Sequence, residues 1–398
     1  MTLSTISPAR LEERVLIRQR GQPGPTLLCV AGLHGNEPAG VEALRRIAGR
    51  LEELGPRLRG EFVGLVGNRR ALAAGRRFLR QDLNRSWTLE RLRALEEART
   101  ELEAEDLEQL ELHGELEEIL ARDDSEVFLL DMHTTSGPGP AFAVLDDTLE
   151  NRRFAMELPV PIVLGIEEEL DGTLATYLLT RGVIAVGFEC GSHEERAAPR
   201  RGEAAIWIAL EASGLLPRGV APEVAEARRY LASIDPELPR VVETRYRHPI
   251  TDGDGFRVLP GFESFQRVEK GETIALSGAG PVAAPEGGRI LMPLYQAQGD
   301  DGFFIVRDVE PFWLKVSSVA RRVGAERFLH WLPGVRRRKG EDLAFVVDRR
   351  IARWYTLEIL HLFGFRRHGK IGDQIVVSRR QRLSRRAPGR RGGRRGRS

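Results

Sequence analysis

Nowhere in its 398 residues does the chain hold an apolar run near the about 18 residues that a membrane span needs. The stretch from Met1 to Arg18 also lacks the apolar core of a secretory signal. These two absences predict a cytoplasmic protein with no membrane partner. Cysteine is scarce: Cys29 and Cys190 are the only two, which excludes a disulfide framework, and each falls in a strand-like run as a reduced core thiol. Acid is missing from Ser378 to Ser398, where ten arginines stand without a carboxylate or an aromatic. Taking those ten from the formal net charge of +2 leaves −8 for the rest, so an acidic body carries a basic, disordered tail. What is present is ordinary for a globular protein: 41% apolar and 30% charged residues, in a length that accommodates two domains.

The stretch that organises the rest is Gly32-Leu33-His34-Gly35-Asn36-Glu37-Pro38. It follows the apolar run Thr26–Val30, which reads as a buried parallel strand, and precedes an amphipathic helix from Pro38 to Leu54. A His and a Glu three residues apart on a glycine-flanked turn can reach one ion, and imidazole nitrogen with carboxylate oxygen suits Zn²⁺. The same spacing also serves a capping Glu and a loop His. A second strand, Gly60–Val66, makes the spacing that of a βαβ unit. The loop from Ala73 to Trp87 then crowds Arg76, Arg77, Arg80, Asp82, Asn84 and Arg85 together. It reads either as a solvated loop or as an anion site, since a guanidinium matches a carboxylate bidentately.

Thr88–Arg122 has the composition of a long helix or a helical pair, with His113 on its exposed face. Val127–Met132 is a further strand, delivering His133 to its carboxyl end, where Asp131 or a backbone carbonyl can orient the imidazole. Strands at Phe142–Leu145 and Val160–Leu164 flank a helix at Asn151–Leu158. Val183–Phe188 ends in Glu189, a carboxylate that is costly to bury without a role. By alternation, Cys190 points away from any cleft that Glu189 faces. His193 competes as a ligand, although its polar surroundings favour a loop. Helices follow at Gly202–Leu216 and Ala221–Ile234.

His34, Glu37 and His133 are therefore three candidate ligands, with Glu189 at a third strand end and an Arg/Asn loop between. At this point the chain resembles the succinylglutamate desuccinylase and aspartoacylase family, relatives of the zinc carboxypeptidases. The matching motifs are Gly-Leu-His-Gly-Asn-Glu at 32–37, Asp-Leu-Asn-Arg at 82–85, Asp-Met-His-Thr-Thr at 131–135 and Gly-Phe-Glu-Cys-Gly at 187–191. The resemblance spans about residues 25 to 310 and implies an α/β fold, a mixed and largely parallel sheet flanked by helices over residues 1–240. Beyond it, Gly- and Pro-rich punctuation reads as a small β-barrel or sandwich at 245–309; Glu310–Leu332 and Val347–Phe363 read as helices of an extension at 310–377, with one last strand at Gln374–Val377, before the Arg/Gly-rich tail at 378–398. The resemblance implies one Zn²⁺ per chain on His34, Glu37 and His133, with Glu189 as general base. Arg77 would stabilise the oxyanion, and Asn84 with Arg85 would hold the substrate's carboxylate.

The departures bear on substrate. The Arg and Tyr that grip the acidic end of aspartoacylase's substrate correspond here to Leu179 and Ala175, and Arg181 replaces them only with a shifted loop. Tyr295 is near the place of the family's substrate-contacting Tyr but reads as a strand residue. The β unit is also like a lipoyl carrier, yet its turns hold no Met-Lys or Asp-Lys attachment site. The expected activity is a zinc amidohydrolase acting on a small N-acyl amino acid. The alternatives are a zinc carboxypeptidase and a nucleic-acid or acidic-surface binding protein acting through the tail.

Overall fold

The computed structural model describes residues 13–98, 101–122, 125–251, 253–338, 344–348, 363, 365–371 and 374–379. In chain order the first elements are β1 Val15–Arg20, β2 Gln22–Ala31, α1 Ala39–Leu54, β3 Arg59–Val66, α2 Arg69–Ala74, α3 Leu89–Glu97 and α4 Ala104–Ala121. Next come β4 Val127–Thr135, β5 Phe142–Val144, α5 Leu149–Ala155, β6 Ile162–Leu164, α6 Leu174–Thr180 and β7 Ile184–Ser192. Helices α7 Ala198–Ala212 and α8 Pro222–Ile234 complete the α/β part.

The expected α/β architecture is present. Strands β3, β2, β4 and β7 run parallel at the centre of the sheet, with β1 antiparallel at its edge. All nine residues of β4 are buried: its first four form an unbroken apolar run, and Asp131, His133, Thr134 and Thr135 occupy its carboxyl half. Two cores sandwich the sheet: Leu44, Ile47 and Leu51 of α1 with Ile206 and Leu210 of α7 on one face, Leu112 and Leu116 of α4 with Leu178 of α6 on the other. Truncating one such leucine to alanine costs about 2–5 kcal/mol. Cys190 lies in the first core, as alternation from Glu189 requires. The predicted helical pair is α3 and α4. His113 departs from its predicted exposure: it is largely buried, with Nε2 2.9 Å from the Tyr177 hydroxyl, because α6 packs over that face. The sequence reading placed no helix at α6, whose Thr173 cap accepts from the Thr176 amide.

The following strands are β8 Val241–Pro249, β9 Arg257–Val258, β10 Arg267–Val268, β11 Thr273–Ser277, β12 Gly280–Ala283, β13 Gly288–Leu291 and β14 Asp301–Asp308. They do not form a free-standing barrel. β8 pairs in parallel with β6, so β8, β14, β13 and β10 extend the central sheet to eleven strands, while β12, β11 and β9 form a separate three-stranded sheet. Beyond them lie α9 Pro311–Arg322, a short 3₁₀ segment at Ala325–Trp331, and the strands β15 Val335–Arg337, β16 Ala344–Asp348, β17 Phe365–Ile371 and β18 Gln374–Arg379. Where the sequence predicts two helices and a last strand at Gln374–Val377, the described residues hold one α-helix, that 3₁₀ segment and a four-stranded antiparallel sheet, in which β18 is the predicted strand. Its strands carry the β-branched run Ile375-Val376-Val377 and the aromatics Phe345 and Phe365, whose rings meet edge to face at 5.0 Å. The helix predicted at Val347–Phe363 lies mostly outside the described residues, with Val347 itself in β16. The predicted tail begins inside β18, and the rest of it lies outside the described residues.

Candidate metal and catalytic site

The parallel register brings the site together. Ala31 pairs with Met132 and His133 with Glu189, so the carboxyl ends of β2, β4 and β7 open at one edge. Open α/β sheets gather ligands at that edge. The turn after β2 is packed tightly: Gly32 takes φ +68°, and a Cβ on Gly35 would sit 2.0 Å from the backbone of Ala71. The Gly35 amide donates to the Arg77 carbonyl at 3.0 Å, which ties this turn to the Arg/Asn loop.

His34, Glu37 and His133 are all buried, with one donor atom from each lying within 4.8 Å of the others. Glu37 Oε1 is 2.7 Å from His34 Nδ1, and Oε2 is 2.9 Å from His133 Nδ1. The far nitrogens are held by carboxylates: His34 Nε2 lies 3.1 Å from Asp82 Oδ1, and His133 Nε2 lies 3.3 Å from Asp131 Oδ2. That is the orientation metal-ligating imidazoles take, each with a partner on the nitrogen turned away from the ion. Four carboxylates, Glu37, Asp82, Asp131 and Glu189, surround the two imidazoles with Arg77 as the adjoining guanidinium. Such an excess of negative charge suits a dication, and the donor types suit zinc.

Electrostatics separate the two glutamates. Burial alone raises Glu37, but His34 and His133 outweigh it and hold the carboxyl well below its usual range. Burial also raises Glu189, and there it prevails, pushing the carboxyl up to about 7 against the opposing pull of His133. Glu189 Oε2 has no hydrogen-bond partner among the described residues. A buried carboxylate oxygen left so at the wall of a cavity is poised to hold or release a proton.

Arg77 is fixed on Asp82, donating from Nε at 3.1 Å and from NH2 at 2.9 Å, and its NH1 stands 3.8 Å from Glu37 Oε1. Asn84 is held through Oδ1 by the Leu174 amide at 2.9 Å, with Nδ2 3.4 Å from His133 Nε2. Arg85 also lines the cavity, but its NH2 donates to Asp301 Oδ2 at 2.9 Å, an aspartate that Arg247 holds as well. Of the residues weighed for substrate selection, Ala175 lines the cavity, and Leu179 lies in the core. Arg181 is turned to Glu117 and Tyr177, away from the cavity, and Tyr295 uses its hydroxyl to hold the carbonyls of Leu259 and Phe262.

Sequence reasoning underrated His193 and missed Gln296. His193 Nδ1 lies 2.7 Å from Thr134 Oγ1, and its Nε2 lies 3.2 Å from Gln296 Oε1, which also accepts from Asn36 Nδ2 at 2.7 Å. His193 thus joins the ligand-bearing segments to the β unit without entering the three-residue cluster. Burial lowers its pKa. No sequence signal places Gln296, because β8–β14 must first fold back over the cavity. The cavity is about 160 Å³, with Met292, Leu294 and Asp301 forming its far wall.

Residues 23–201 match the Succinylglutamate desuccinylase/Aspartoacylase catalytic domain. A succinylglutamate desuccinylase of Pseudomonas paraeruginosa (strain DSM 24068 / PA7) is 47% identical over 64 residues, 16% of this chain. That aligned stretch spans only 19% of the relative's own length. Among solved structures, a succinylglutamatedesuccinylase/aspartoacylase from Rhodobacter sphaeroides superposes with a TM-score of 0.54 at 19% identity, covering 74% of this chain and 88% of that one. The product-bound ectoine utilization protein EutE (DoeB) from Ruegeria pomeroyi gives 0.53 at 18% identity, with 73% and 87% covered. At these identities the two structures share the fold.

Proposed function

The chain belongs to the succinylglutamate desuccinylase/aspartoacylase family, and from that premise we propose that it is a zinc-dependent deacylase that hydrolyses the amide of a small N-acyl amino acid. The observation that carries the reading is the convergence of His34, Glu37 and His133 beside Glu189 at the floor of one cavity. His34, Glu37 and His133 would hold the Zn²⁺, which would supply Lewis acidity for an acyl oxygen and lower the pKa of a water toward about 7. Glu189, which lines the cavity with Oε2 unpartnered among the described residues, would take the proton from the attacking water and later give it to the departing amine. Arg77, oriented by Asp82, directs positive charge to the oxygen that becomes an oxyanion. Asn84 offers its Nδ2 to the substrate, and Arg85 takes the substrate's free carboxylate by exchange with Asp301.

A cavity of about 160 Å³ favours a small amide over a peptide, which sets the carboxypeptidase reading second. The binding reading through the basic tail rests on residues outside those described. The test is to titrate the metal-stripped protein with zinc and follow hydrolysis of a panel of N-acyl amino acids. One zinc per chain with chelator-sensitive amine release is expected. Full activity in excess chelator, or turnover of peptides alone, would overturn the proposal.

A further inference from the structure

Surface helices ordinarily turn their apolar stripe inward and their polar side to water. Helix α9 does the reverse. Its buried positions are Ser317 and Arg321, with Leu314 packed against the main core. Arg321 NH2 reaches Asp147 Oδ2 at 2.7 Å, and its NH1 donates to the Asp147 carbonyl at 3.0 Å. Arg152 completes the knot, donating to Ser317 Oγ at 3.0 Å and to Asp147 Oδ2 at 2.7 Å. Rotating the helix would leave a buried charge uncompensated, so this knot fixes which face looks outward.

The outward face is apolar. Phe312, Trp313, Val319 and Val323 are each more than half exposed, and 312, 319 and 323 fall on one stripe. After Gly324, in the left-handed conformation, the 3₁₀ segment adds Phe328 and Trp331, whose rings lie 5.0 Å apart. Trp331 is 73% exposed. A basic rim accompanies them: Lys315, Arg322 and Arg336 are exposed, and, apart from the buried Arg321, residues 311–338 hold six Lys/Arg against the single acid Glu326.

We propose that this face docks on an anionic membrane surface, with α9 lying in the plane of the interface. Aromatic and aliphatic side chains facing out beside basic ones are the composition of an interfacial helix. No helix among the described residues is long and apolar enough to cross a membrane, so the helix lies on the bilayer. A second copy of the chain is a poorer occupant, since a two-fold contact sets the basic rim against itself. Nucleic acid matches the arginines and the indoles but offers nothing to Val319 and Val323. Composition alone predicts no membrane partner, because the exposed stripe is set by Asp147, far away in sequence.

The test is co-sedimentation of the full chain with phosphatidylcholine vesicles, with and without an equal share of phosphatidylglycerol. Binding to the anionic vesicles only is expected, with a blue shift of tryptophan emission. Trp313→Ser/Trp331→Ser and Val319→Ser/Val323→Ser should each weaken it about tenfold or more while the basic tail stays intact. These substitutions replace exposed side chains, so unchanged circular dichroism is expected. The proposal fails if the wild type ignores anionic vesicles or binds neutral ones equally. It also fails if both variants bind as the wild type does, if the face instead supports a concentration-dependent dimer, or if the Trp variants lose RNA binding instead.

Discussion

Two of the buried knots of charge among the described residues differ in what surrounds them. Around Asp147 the guanidiniums of Arg152 and Arg321 share one carboxylate, Arg152 also bonds Ser317, and the knot closes against α9. Around His34, Glu37 and His133 the carboxylates outnumber the guanidinium, one oxygen of Glu189 has no partner among the described residues, and a cavity lies beside them. A closed knot orients an element; an open one invites a ligand. Substitutions that separate the two knots test that distinction.

The largest effect belongs to Glu37→Ala. It should abolish zinc uptake, measured by metal analysis of the purified protein, and lower kcat/KM by at least about 10³-fold. Next is Glu189→Gln, which should retain zinc and lower kcat by about 10²–10⁴-fold. If zinc is lost with it, Glu189 is a ligand and its assignment as base is wrong. In the closed knot, Asp147→Ala strands the buried Arg321 and should cost about 3–5 kcal/mol in urea unfolding while hydrolysis keeps its wild-type rate. A loss of hydrolysis in the folded variant would show the two knots to be coupled.

The smallest effect is in pH. Because the folded state holds the Glu189 proton up to about 7, against 4.5 ordinarily, folding keeps a proton that the unfolded chain has released between those values. Its contribution to stability is therefore fully present below about 4.5 and is lost as pH rises through about 7. The loss amounts to roughly 3 kcal/mol. In excess chelator, the urea midpoint of the wild type should fall more between acid and neutral pH than that of Glu189→Gln; parallel curves would mean that Glu189 is already ionised when folded.

The open knot was largely legible in sequence because its parts are local. His34 and Glu37 sit three residues apart, and His133 and Glu189 each end an apolar strand, so a parallel sheet alone brings them near. Asp131 was anticipated as a partner of His133 through its place two residues before it. Asp82 on His34 was not, since that contact crosses from one loop to another. Arg85 was matched to a carboxylate, but Asp301, which holds it, arrives from a strand over two hundred residues later. Helix α6 escaped notice because seven residues show too little periodicity. The orientation of α9 had no sequence signal: its heptad spacing marks an apolar stripe, and only the distant Asp147 decides that the stripe faces out. Of the C-terminal sheet only the strand at Gln374–Val377 was legible, from its β-branched run; the others are short and interleaved with arginines.

The parallel pairing of β6 with β8 has a mechanical consequence. It joins the β unit to the central sheet by a ladder at Ile162–Leu164 and Val241–Glu243, so the wall formed by Met292, Leu294 and Asp301 belongs to the same stiff body as the floor. A wall mounted in that way is tied to the sheet through β8, β14 and β13, with Met292 and Leu294 on the segment that follows β13. The aperture is then set by the fold, a fixed gauge for whatever enters the cavity rather than a mouth that closes around its contents.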